Sequence, residues 1–293
     1  MIQALKGVRH VTSGTMKQAV TELCVPVPWG EIRGKIWGPD HGRPVLCLHG
    51  WADNCGTFNT LLPLLPKDFR YVAIDLAGHG CSSHRPPGVL NVFPSYVMDM
   101  RRVVDVFVCI NDTMWCFPQF SALYPEMVDA LVLLDSYGFL PTDPVFLPTL
   151  QRFSQLNSYK MEEKKMRVYT YEKAVERLLA GNPSLTEESA KILLERGLVK
   201  VEGGVLFSRD FRINLRNVVR ISLEQSLELQ SRSSSRANSS FILFFFMHVS
   251  VFQNTVVQVP GNHHVHLNNP EVVAPVVTNF HLSNFVNFCD SRL

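Results

Sequence analysis

Short apolar runs and amphipathic runs alternate along the first half of the chain. Leu23 to Val27 and Ile32 to Trp37 alternate apolar with polar residues around Pro28-Trp29-Gly30, the pattern of an antiparallel hairpin. Pro44 to Leu48 (PVLCL), Tyr71 to Leu76 (YVAIDL) and Leu131 to Leu134 (LVLL) are short, nearly pure apolar runs, which suit parallel strands buried on both faces. Between them Phe58 to Leu65 and Tyr96 to Phe107 fit helices, the second with Val97, Met100, Val103, Val104 and Phe107 on one face. Strand and helix in alternation predict an α/β sheet.

The pattern changes after Gly138. Pro141, Pro144 and Pro148 break regular structure, and Lys160 to Leu198 reads as charged amphipathic helix punctuated by Pro183. Strand pattern returns near Phe241 and at Thr255 to Val259, and a last helix is expected from Glu271 to Phe285. These shifts divide the chain into an N-terminal arm (1–21), a first core part (22–139), a helical lid (140–230), an atypical stretch (231–254) and a last core part (255–293). The atypical stretch sets the low-complexity run SRSSSRANSS directly beside FILFFFMHVSVF, a poor fit to a packed domain.

Composition narrows the classes. The 293 residues are 46% hydrophobic and 18% charged, enough for one large core or two small ones. A formal net charge of +2, with no basic stripe, argues against nucleic acid as a partner. The run Phe241 to Phe252 is too short for a bilayer, which takes about 20 residues, so no membrane span is expected. The seven cysteines form no C-x-x-C pair and read as reduced, packed thiols of an intracellular protein. Lys6, Arg9 and Lys17, with no acid before Glu22, match a transit peptide only weakly; a disordered arm is the plainer reading.

Three strand ends carry candidate chemistry. Leu48-His49-Gly50-Trp51 ends a strand in His-Gly-aromatic, where a glycine permits a tight turn and backbone N–H groups can face a developing oxyanion. Asp75-Leu76-Ala77-Gly78-His79-Gly80 follows the next strand, with Ser82 and Ser83 as ordinary turn residues. Val259-Pro260-Gly261-Asn262-His263 places a histidine after a strand and before a helix, where a general base can face the carboxyl edge of the sheet. His264 and His266 beside it invite a metal, but no carboxylate accompanies them, so neither metal nor cofactor is expected.

Taken in order, these motifs resemble the α/β-hydrolase superfamily. The phrases VPWGEIRGKIWG, PVLCLHGWADN, YVAIDLAGHGCSSH, YPEMVDALVLLDS and VPGNHHVHLNNPE are similar to its serine hydrolase-like branch. The resemblance implies an α/β-hydrolase fold: a mostly parallel sheet with a helical lid and a site for a small acyl substrate. It makes His263 the general base, His49, Gly50 and Trp51 the oxyanion and binding turn, and Asp135 a fallback acid at a strand end. It also calls for a serine on a G-x-S-x-G elbow after the fifth strand.

That elbow is not found. Between Phe107 and Phe120 stands only VCINDTMWCFPQ, without serine or glycine, and it is too short for strand, elbow and helix start. No nucleophile can therefore be named, Ser121 belonging inside the following helix, and the central strand is expected to be defective. No Asp or Glu falls between Glu228 and Glu271, where the usual acid belongs. Both gaps coincide with foreign-looking sequence, as if an exon were omitted at the first and intron read through at the second.

The primary expectation is a family activity of ester or similar acyl hydrolysis that this chain lacks. The alternative is a non-catalytic relative that binds a ligand or partner. A dehalogenase-like or epoxide-hydrolase-like enzyme is weaker, since it needs an aspartate at the elbow. The terminal Ser291-Arg292-Leu293 is a variant of the peroxisomal Ser-Lys-Leu address, which makes peroxisome the expected location, cytoplasm the alternative and the import receptor an expected partner.

Overall fold

The computed structural model describes residues 20–107, 112–115, 118–135, 167–214, 222–234, 238–243 and 255–290. The N-terminal arm, part of the elbow stretch, the first part of the lid and Ser291-Arg292-Leu293 lie outside them. No helix among the described residues is long and apolar enough to cross a membrane.

The chain opens with strands β1 (Val20–Val27) and β2 (Gly30–Trp37), an antiparallel hairpin in which Val27 faces Gly30 across a two-residue turn. Then come β3 (Arg43–Leu48), β4 (Phe69–Ile74), helix α1 (Phe93–Phe107), β5 (Asp112–Trp115), α2 (Pro118–Leu123) and β6 (Val128–Leu134). After the insertion, β9 (Asn238–Leu243) and β10 (Thr255–Gln258) complete a sheet ordered β1-β2-β4-β3-β5-β6-β9-β10. From β4 to β10 every pairing is parallel, so loops after these strands gather at one carboxyl edge.

Apolar side chains fill both faces of the sheet. On one, α1 sets Tyr96, Val97, Met100, Val103 and Val104 against Ile32, Val72 and Leu131. On the other, the final helix α7 (Ala274–Asp290) contributes Val277 to a cluster with Phe58, Leu61, Leu62 and Tyr71; the four-residue helix α6 (Val265–Asn268) precedes it. The single helix expected over Phe58 to Leu65 is instead two short 3-10 turns, Cys55–Phe58 and Leu62–Leu64. Pro63 stands at the start of the second turn, where it has no N–H to continue a helical ladder.

The lid contains more than helix. Helices α3 (Tyr171–Gly181) and α4 (Glu187–Gly197) each begin at a threonine whose hydroxyl caps the first turn: Thr170 accepts from Lys173 N–H and Thr186 from Ser189 N–H. Beyond α4 the chain forms an unexpected hairpin, β7 (Leu198–Val201) and β8 (Gly204–Phe207), closed by Glu202-Gly203. Helix α5 (Leu223–Ser234) follows and packs on α2.

Both odd segments contribute regular structure among the described residues. Residues of the low-complexity run are built into the fold: Ser231 to Ser234 end α5, and Asn238 to Ser240 begin β9 between β6 and β10. The elbow stretch supplies a strand, β5, but one of only four residues. Its ladder to β3 joins Leu46 with Met114 and Cys47 with Trp115, and its register on β6 shifts between Asp112 and Met114.

Candidate active site

The carboxyl edge of the sheet brings together the loops after β3, β4, β6 and β10. Asp135 ends β6, and its Oδ2 stands 2.5 Å from Nδ1 of His263 in the loop after β10. The imidazole side chain is 60% exposed and the carboxylate 15%. The hydrogen bond to Asp135 raises the pKa of His263 above its ordinary value, although burial works against it. Asp135 at Nδ1 leaves Nε2 as the nitrogen that can take or give a proton. Among the described residues no hydroxyl or thiol is hydrogen-bonded to it.

The loop after β3 presents Gly50 and Trp51 on the wall of a cavity of about 150 Å³. No hydrogen bond among the described residues uses Trp51 N–H, as an oxyanion donor requires. His49 does not share that role. It is 2% exposed and does not line the cavity. Leu76 N–H donates to its Nε2, so the proton sits on Nδ1 and goes to Gly50 O at 2.7 Å. Burial lowers its pKa and keeps it a neutral brace between the two loops.

The other sequence candidates resolve into scaffolding. Ser82 Oγ donates to Asp75 O and accepts from Arg33 N–H; Ser83 Oγ accepts from Glu31 N–H. Ser121 is buried in α2 at 1% exposure. His264 Nδ1 meets Ser184 Oγ at 2.7 Å and His266 Nε2 meets Thr57 Oγ1 at 2.9 Å. Burial lowers their pKa values to about 4 and about 3. Among the described residues no three His, Cys, Asp or Glu side chains form a metal-binding group. Burial raises the thiols of Cys24, Cys47, Cys55 and Cys81, so none is a thiolate nucleophile near neutral pH.

Asp53 and Arg196, which the motifs did not single out, shape the site together with residues of the Asp75–Gly80 motif. Asp53 lines the cavity two residues past Trp51, and burial raises its pKa to about 6. His79 accepts Ala52 N–H at Nε2 and is pushed down to about 2 by burial, so it too supports the β3 loop as a neutral ring. Asp75, fully buried, accepts from Cys55 N–H, Cys81 N–H and Nε of Arg196 in α4. Gly80 is obligatory there: at φ 52° it lies so close to Asp75 that a Cβ would sit 2.4 Å from the carboxylate.

Residues 178–209 of the insertion line the cavity at this edge. Leu178, Leu185, Leu193 and Leu194 give the cavity an apolar side, and Asn54, Asn182, Ser208 and Arg209 a polar one. Asn262 and Asn268 both donate to Ser184 O, fastening the α3–α4 loop to the His263 loop. A cavity at the carboxyl edge, with a histidine–carboxylate pair and a spare backbone donor, suits acyl-group recognition and proton transfer.

Comparison with known proteins agrees with this architecture. The family model of the alpha/beta hydrolase fold matches residues 43–112. A serine hydrolase-like protein of Danio rerio is 49% identical over 306 residues, covering 96% of this chain and 94% of that protein. Serine hydrolase-like protein 2 of Homo sapiens is 33% identical, covering 89% of this chain and 94% of its own length. The crystal structure of a hypothetical protein from Pseudomonas aeruginosa PAO1 superposes with a TM-score of 0.79 at 26% identity, over 90% of this chain and 99% of that one. The chain belongs to the serine hydrolase-like family of the α/β-hydrolase fold.

Proposed function

We propose that this chain keeps the ligand cavity and the proton-transfer half of an acyl-ester hydrolase, lacks the nucleophilic half, and so binds an acyl ligand without hydrolysing it. The observation that carries the reading is the His263–Asp135 pair on a lidded cavity wall, with no hydroxyl bonded to His263 among the described residues. Among the described residues the serines around the site have other work: Ser82, Ser83 and Ser184 hold loops, and Ser208 Oγ donates to Arg196 O. A histidine–acid pair without its nucleophile retains little acceleration, because such groups act as a unit.

The length of the match to one relative supports the same view. The match to the Danio rerio relative runs over 306 positions, more than the 293 of this chain, so that relative has residues with no counterpart here. An aspartate nucleophile of the dehalogenase kind fits less well. Asp112, the one acid in the elbow stretch, begins β5 at the edge of the sheet away from the site.

The test is labelling with a fluorophosphonate probe, alongside sequencing of the transcript across Val108 to Phe120 and Gln230 to Asn254. The chain as it stands is expected not to label. A transcript form that restores a G-x-S-x-G elbow is expected to label there and to lose labelling with His263→Ala. Labelling of the present chain at Ser121 or Ser83 would overturn the proposal.

A further inference from the structure

We propose that Arg209 is a carboxylate-binding subsite of the lidded cavity, so that the acyl ligand taken there carries a free carboxylate. The inference rests on the acyl-cavity reading above and adds the class of ligand. Arg209 stands just past β8, at the base of the lid hairpin, and lines the cavity together with Trp51, Asp53 and His263. Its Nη1 donates to Ala52 O at 3.2 Å, which fixes the guanidinium beside the loop that carries the free Trp51 N–H.

A guanidinium offers five N–H donors in a planar fork and stays charged. Arg209 uses one donor, and among the described residues no carboxylate pairs with it. The neighbouring acid, Asp210, is occupied from another side: Arg212 donates to it through Nε and Nη2. Asp53 is engaged by the Thr57 hydroxyl and by Asn54 N–H. Partial burial and the nearby charge of Arg177 disfavour the cation on Arg209 and outweigh the favourable charge of Asp53, so an incoming anion would relieve the remainder.

The fork of one arginine matches two oxygens of a carboxylate or of a phosphate alike, so the choice between them falls to the charge of the cavity wall. Asp53 on the same wall repels a dianion more strongly than a monoanion. Leu178, Leu185, Leu193 and Leu194 also line the cavity and would take the alkyl part, with Trp51 and His263 available to the ester end.

The experiment compares two esters of matched length, monomethyl glutarate and methyl valerate, by calorimetric titration into the full chain. Wild type is expected to bind the carboxylate-bearing ester about tenfold more tightly, the worth of a charge-assisted hydrogen bond. Arg209→Gln is expected to lose that preference while still binding methyl valerate, and Arg209→Lys to keep part of it. Equal affinity of wild type for the two esters overturns the Arg209 assignment alone, and needs no variant to fold. A preference that survives Arg209→Gln overturns it equally. Binding of neither ester overturns the acyl-cavity reading along with it, whereas fluorophosphonate labelling of the chain would overturn the missing-nucleophile reading and leave Arg209 untouched.

Discussion

Asp135 leaves β6 in the left-handed region of backbone space, at φ 45°, and from there its carboxylate meets Nδ1 of His263 at 2.5 Å. Aspartate tolerates this conformation better than most residues, though not for nothing. The turn aims a strand-end side chain across the sheet edge to a loop 128 residues away.

The first prediction concerns that pair. The hydrogen bond from Asp135 favours imidazolium, so His263 should titrate above its ordinary value of 6.5. Asp135→Asn removes the charge and leaves burial opposed only by the weaker influence of Asp53, so the midpoint should fall to or below 6.5. Histidine NMR across pH 5 to 9 measures both. An unchanged midpoint in the variant would show that Asp135 does not govern the base.

Arg196 makes a second, structural prediction. From the last turn of α4 it donates to fully buried Asp75 at 2.9 Å and to Glu22 of β1 at 2.9 Å, tying lid, core and edge hairpin together. Arg196→Ala leaves Asp75 as an uncompensated buried carboxylate, which costs about 3–5 kcal/mol. Chemical denaturation should show the unfolding free energy falling by that amount. A loss below about 1 kcal/mol would mean that the Cys55 and Cys81 amides satisfy Asp75 by themselves.

Much of this was legible before the structure. His263, Gly50 and Trp51 could be placed because each follows a strand run into a glycine turn, and those local signals survive folding. Asp135 was legible only as a fallback, since nothing local reports that a strand-end acid meets a distant loop. The β7–β8 hairpin did have a signal, the β-branched and aromatic runs LVKV and GVLF flanking the turn Glu202-Gly203, with Gly203 at φ 82°. It was obscured by the charged helical pattern running up to Leu198. Arg209 and Asp53 had none, because their meaning depends on which side of a cavity tertiary packing puts them. His49 misled for a related reason: its motif is real, but its ring faces inward as a brace.

Asp53 yields a prediction opposite in sign to the usual carboxylate. Burial raises its folded pKa to about 6 from 3.8. Between those values the folded state binds the extra proton, so this group's contribution falls as pH rises from about 4 to 6. Asp53→Asn should therefore stabilise the protein at pH 7 by about 1–3 kcal/mol, with the gain vanishing toward pH 4. Unfolding free energies of the two forms at several pH values decide it. A variant less stable than wild type at pH 7 would mean that the contacts with Thr57 and Asn54 outweigh the burial penalty.

Histidines make the last and largest pH effect. Burial lowers the pKa values of His49, His79, His264, His266 and His281, to about 2 for His79, about 3 for His266 and about 4 for His264 and His281. In the unfolded chain each returns to about 6.5. Below that value the unfolded state binds protons that the folded state refuses, so stability falls with falling pH until the folded values are reached. Each group alone adds up to about 1.4 kcal/mol per pH unit to that slope. Acid unfolding should therefore begin near pH 6, well above the ordinary carboxylate range, despite the opposing effect of Asp53. His281 offers a clean dissection: its ring packs against Phe69 and Tyr71, away from the cavity, with centroids 4.8 and 5.9 Å away. His281→Phe keeps an aromatic ring there and removes one proton-binding group. Its unfolding free energy should decline less steeply from pH 6.5 to 4.5, by about 1.4 kcal/mol per pH unit. Curves for variant and wild type that run parallel over that interval would show that His281 is not held neutral by the fold.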